Sequence, residues 1–197
     1  MMTTGSKYHH GDLKNALIQA GLDVLARDGV ASLSLREVAR QAEVSHAAPY
    51  AHFADKQALI AAISTESFKQ LYAQLTAVRQ VYAAEPQALL PEIAWAYVQF
   101  ARSHPDRFKL MFSGVLEQEK DYPDFVEISQ QTFYQLVEII EICQQAGLLT
   151  DEEPKLVATR MWASVHGFTA LLLEGQISHT VLEKGELKEI VTFMLGV

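Results

Sequence analysis

Residues 34–56 read SLREVARQAEVSHAAPYAHFADK, and the reading of this stretch decides the fold. Ser34 is a helix-capping residue type. Behind it Leu35, Val38, Ala39 and Ala42 recur at helical spacing and form one apolar face. Val44 and Ser45 interrupt that period. Ser45 is expected to cap a second helix whose first turn is His46-Ala47-Ala48, with Tyr50 and Phe53 on its inward side. Two short helices joined by a tight turn make a helix-turn-helix, whose second helix enters the DNA major groove.

Ser34, Leu35, Val38, Ala39, Val44, Ser45, Tyr50, His52, Phe53 and Lys56 follow the pattern Ser/Thr-Leu-x-x-Val/Ile-Ala, Val-Ser, Tyr-x-His-Phe-x-x-Lys. On these residues the segment resembles the DNA-binding head of the TetR family of bacterial transcriptional regulators. Two positions depart from that pattern. Glu43 stands where the family usually has a turn glycine, so the turn is expected to close without easy access to positive φ. Pro49 lies inside the short second helix and removes one backbone donor in or near its first turn. The run Ala48-Pro49-Tyr50 is similar to one branch of the family.

Helix-turn-helix proteins touch base edges with the first residues of the second helix. That assigns the tip to Ser45, His46, Ala47 and Ala48. His46 can donate to a purine acceptor, and the two alanines are short enough to approach a thymine methyl. The resemblance adds Ser34 at the start of the first motif helix, and Tyr50, His52 and Lys56 as holders of the phosphate backbone. Lys7, Tyr8, His9 and His10 precede the first helix as a short basic arm. It is either a minor-groove arm or an unstructured terminus.

The chain has 197 residues, 49 % apolar and 20 % charged, which suits one or two globular domains. We divide it into a DNA-binding head over 1–56 and a body over 57–197. No apolar run approaches the roughly 20 residues that span a bilayer, and Met1 to His10 are polar and basic. A cytoplasmic protein without membrane contact is expected. The lone Cys143 falls among apolar helical residues and reads as core.

The net charge is −8, but it is unevenly spread. Residues 1–60 carry six basic and six acidic side chains (6 − 6 = 0), so 61–197 carry 10 − 18 = −8. Four of the seven histidines, at 9, 10, 46 and 52, lie in the neutral part. Non-specific DNA affinity is therefore expected to be weak, and to rise as histidines protonate.

Every segment reads as helix, so the fold class is all-α: a three-helix head and a helical ligand-binding and dimerisation bundle. Asp12 caps a first helix closed by Gly29, and Asp55 caps a long helix with Leu59, Ile63, Phe68, Leu71, Leu75 and Val78 as its stripe. Glu85-Pro86 and His104-Pro105 break the chain, and Asp121 to Asp124 reads as a loop. Helices follow over about 125–145, from Pro154 to Gly175, and over about 182–195. Residues 161–173, MWASVHGFTALLL, and the last helix with Leu187, Ile190, Val191, Met194 and Leu195 are apolar nearly all round. Such helices are deeply buried or shared with a partner. The resemblance implies that the last two helices form a four-helix homodimer interface, and a two-fold dimer matches a palindromic operator in double-stranded DNA.

The body clusters Trp95, Tyr97, Phe100, Phe108, Met111, Phe112, Phe133, Tyr134, Trp162 and His166. By default such residues are core. The resemblance places an effector cavity here for a small apolar or amphipathic molecule, with Tyr97, Tyr134, Trp162 and His166 as its polar contacts. The spacing of Trp162, His166 and Gly167 is similar to the C-terminal body of one branch of the family. No spacing suggests a metal ligand set, a phosphate loop or a nucleophile elbow, so no cofactor, no metal and no catalysis are expected. The alternative is an all-α small-molecule binding protein without DNA regulation.

Overall fold

The computed structural model of the protein describes residues 10–116, 118–183 and 186–196, and their side chains except at 10–12, 179 and 180. The helices are α1 His10–Asp28, α2 Leu35–Gln41, α3 Lys56–Val81, α4 Pro86–Ser103, α5 Pro105–Met111, α6 Pro123–Gln145, α7 Pro154–Leu173, α8 His179–Leu182 and α9 Leu187–Met194. Single 3-10 turns cover Val30–Ser32, Ala48–Ala51 and Glu119–Asp121. There is no strand among the described residues.

The helix boundaries follow capping chemistry. Ser34 accepts from the Glu37 amide at 3.2 Å, Asp55 from Ala58 at 2.9 Å, and Glu153 from Leu156 at 2.7 Å. Proline opens α4, α5, α6 and α7, where its missing donor costs nothing. Three expected boundaries are corrected. α1 begins at His10, so Asp12 lies within its first turn rather than at its cap. The last helix, expected from about 182, starts at Leu187 instead, where Glu186 and Glu189 form a reciprocal capping box, and a separate short α8 ends at Leu182. Pro123 likewise pulls the start of α6 into the expected 121–124 loop.

α1 and α2 pack on each other, and α1 packs on the N-terminal part of α3. Gly21 marks the close approach: a Cβ there would stand 2.6 Å from Cδ1 of Ile63, so a side chain would force the Ile63 side chain to shift. The same α3 continues into the body, where it packs against α4, α5 and α6. One apolar core runs from Leu17 in α1 to Leu195 after α9.

α7, interrupted by Lys155 and Arg160, is the one described helix long and apolar enough to cross a membrane by length and composition, and 33 % of its most apolar stretch is buried within the subunit. Its inner side packs on α4, α6 and α9. Its outer side leaves Leu156 and Leu171 exposed, and α9 leaves Phe193 78 % exposed while Val191 and Leu195 are buried within the subunit.

Candidate functional site

The head's tip departs from the expected geometry. Instead of a helix capped by Ser45, residues 45–53 form consecutive tight turns. Ala48 N–H donates to Ser45 O at 2.9 Å, Tyr50 N–H to Ala47 O at 3.2 Å, and both His52 and Phe53 donate to Pro49 O. Pro49 has no N–H, so the bond that would begin an α-helix here is missing and the chain tightens into a 3-10 turn with Ala47 at its N-cap. The tighter winding also re-sorts the faces. Pro49 and Phe53 point inward and are buried, whereas Tyr50, expected inward, is 62 % exposed. The turn before it is corrected as well. Glu43 adopts φ 55°, the left-handed region that glycine occupies more readily.

Ser45, His46, Ala47, Tyr50 and Lys56 are exposed, and Ala48 and His52 are half-buried. The ring of His52 lies 6.5 Å from that of Phe53. Of the expected arm, Lys7, Tyr8 and His9 lie outside the described residues. Ser34, Arg36, Glu37, Arg40 and His46 line one shallow groove, so the start of α2 and the tip face the same space. Arg36 and Arg40 were missed from sequence, although their exposed spacing opposite Leu35, Val38 and Ala39 could have flagged them. Glu37 ties down much of the positive charge. Its carboxylate pairs with Arg40 and, at 3.3 Å, with Arg27. The Arg40 guanidinium beside it holds the Glu37 carboxyl below the usual range. Among the described residues Arg36 makes no ion pair, so it is the unneutralised guanidinium of this groove.

The body encloses a cavity of about 550 Å³ between α3, α4, α6 and α7. Of the residues expected there, Tyr97, Met111, Phe112, Phe133, Tyr134 and Trp162 line it. Four expected residues do not. Trp95 lies on the face of α4 opposite Tyr97, and Phe100 is buried one turn further on, against the His104 ring at 5.3 Å. Phe108 and His166 stand behind the wall, stacked on each other at 5.3 Å. His166 still acts on the cavity, because its Nδ1 lies 2.7 Å from the Tyr97 hydroxyl. Trp162 Nε1–H donates to the same hydroxyl at 3.3 Å. Burial raises the Tyr97 phenol above its usual range and lowers the His166 imidazole below its own, so both are uncharged near neutral pH. Phe68, Leu71 and Leu75 of α3 also line the cavity. Their helical stripe was legible, but it read as the core face of a connector.

α5 joins the two regions. Met111 and Phe112 at its end are cavity wall, while the helix itself packs on α1 of the head. Arg107 donates to Gln70 of α3 at 2.9 Å and lies near Asp23 of α1 and Glu66 of α3.

Comparison with known proteins agrees with this architecture. The family model described as bacterial regulatory proteins, tetR family, matches residues 17–63. The model described as tetracyclin repressor-like, C-terminal domain, matches residues 90–195. The chain belongs to the TetR family. It is therefore a DNA-binding transcriptional regulator. A protein of unknown function from Rhodococcus sp. RHA1 shares the whole TetR-type fold, at 32 % identity over 98 % of this chain and 96 % of that one, with a TM-score of 0.79. A TetR-family regulator from Mesorhizobium loti MAFF303099 has the same fold at 14 % identity, covering 96 % of each chain with a TM-score of 0.70. Over 60 residues the chain is 42 % identical to the HTH-type nicotine-responsive transcriptional repressor HdnoR of Paenarthrobacter nicotinovorans. That match spans 30 % of this chain and only 31 % of the relative's length. Among the described residues no group of three or more His, Cys, Asp and Glu side chains could hold a metal ion.

Proposed function

We propose that this TetR-family chain is a homodimeric, cytoplasmic repressor, not an enzyme, which leaves its operator when a small apolar or amphipathic molecule fills the body cavity. A head to residue 56 meets DNA through Ser34, Arg36, His46, Ala47 and Ala48, and grips phosphates with Tyr50, His52 and Lys56. Two heads related by a two-fold axis reach successive major grooves when their tips are about 34–36 Å apart. The observation that carries the reading is the position of α5, whose end walls the cavity and whose body packs on α1. A ligand that displaces Met111 and Phe112 moves α5 against α1 and changes the separation of the heads. Such a ligand lowers DNA affinity by as much as it prefers the splayed state. The exposed apolar sides of α7 and α9 support the dimer.

Pairing of Arg27 and Arg40 with Glu37 favours the second reading, a binding protein that no longer holds DNA. A gel shift with the DNA upstream of the protein's own gene separates the two. A retarded band sensitive to competition by the same sequence supports repression, whereas no specific band at low salt leaves only the binding protein.

A further inference from the structure

The cavity has an unusual charge inventory. Its wall is built from apolar and aromatic side chains, with Ser129, Gln130 and Thr132 as neutral polar contributors. Among the described lining residues Glu119 is the only carboxylate, and no Lys, Arg or His belongs to them. Two of the neutral groups are already committed, since the Ser129 and Thr132 hydroxyls donate to Val126 O and Ile128 O of their own helix. The buried polar cluster at the wall, Tyr97 with Trp162 and His166, is uncharged near neutral pH. The Lys155 ammonium sits 5.2 Å from the centre of the Tyr134 ring, but Lys155 is not among the described lining residues.

We propose that the cavity selects its ligand by charge, taking an apolar molecule whose polar end is neutral or cationic and rejecting the carboxylate of the same skeleton. This rests on the reading of the cavity as a ligand site. A carboxylate buried here would meet no cation and few free donors, which is the costly case for any ion. A hydroxyl or ammonium meets the opposite surroundings. The lining rings of Tyr97, Phe112, Phe133 and Trp162 attract positive charge, Tyr134 already has the Lys155 ammonium over its ring, and Glu119 supplies a negative charge. Neutral donors can use the remaining lone pair of the Tyr97 hydroxyl.

The test uses three probes with one ten-carbon chain: decanol, decylamine and decanoate, each below its micellar concentration at neutral pH. Trp162 lines the cavity and Trp95 does not, so a Trp95→Phe protein leaves one fluorescent reporter in the wall. Calorimetry on the unaltered protein checks the values. Decanol and decylamine are expected to bind at least about tenfold tighter than decanoate, a difference of about 1.4 kcal/mol. Gln130→Lys, at an exposed lining position, is expected to narrow that gap by supplying the missing cation. Decanoate binding as tightly as decanol overturns the charge selection while leaving the ligand site in place. A gap unmoved by Gln130→Lys overturns its cause. If none of the three binds, the ligand-site reading falls and the proposal falls with it.

Discussion

Phe193 offers the sharpest test of assembly. It lies on α9 with 78 % of its surface exposed in the subunit, beside buried Val191. Fully burying a phenylalanine side chain stabilises by about 1.5–3 kcal/mol. Roughly three-quarters of that remains to be gained at a dimer interface, about 1–2.5 kcal/mol, and a two-fold axis doubles it to about 2–5 kcal/mol. Phe193→Ala should therefore raise the dimer dissociation constant by roughly one and a half to three and a half powers of ten. Sedimentation velocity over a dilution series measures this directly. Val191→Ala is the companion. Val191 is 1 % exposed within the subunit, so its truncation should lower the thermal midpoint instead. A Phe193→Ala protein that dissociates at the same concentration as the parent would refute the reasoning and move the interface away from this face of α9.

Other outcomes follow from the head and the cavity wall. Ala47→Glu places a carboxylate at the exposed tip and should weaken specific DNA binding by at least about 2 kcal/mol without unfolding the protein; unchanged affinity in a titration would remove the tip from the interface. Glu43→Gly relieves a left-handed φ of 55° and should change stability by no more than about 1 kcal/mol in the stabilising direction, since the freer unfolded chain offsets part of the gain; a clear loss on chemical denaturation would contradict this. Burial holds His166 below its usual pKa, so the unfolded chain takes up a proton first as pH falls. The stability this neutral imidazole contributes is complete above the ordinary histidine range and lost below it. A His166→Gln protein should show a flatter decline of the thermal midpoint from neutral to mildly acidic pH, and an equal decline would count against it.

Much of this molecule was legible in one dimension. The all-α class, the capping of α2 by Ser34 and of α3 by Asp55, and the breaks at Pro86 and Pro105 depend on neighbours within a turn of the chain. The motif over 34–56 gave the family for the same reason, because its residue types sit at fixed local spacing. The sequence reading misjudged Glu43, which takes the positive φ itself at the end of α2, where its N–H donates to Arg40 O and the Val44 N–H to Ala39 O. It also put Tyr50 inward, because the angular step per residue changes when Pro49 converts a helix to a 3-10 turn. The cavity was harder still. A list of aromatics does not say which ones face the same space, since this depends on the rotation of each helix about its axis and on where along it the neighbours cross. Trp95 and Tyr97 are two residues apart and lie on opposite faces of α4, and only the packing of α3, α6 and α7 around that helix decides which of them faces the cavity.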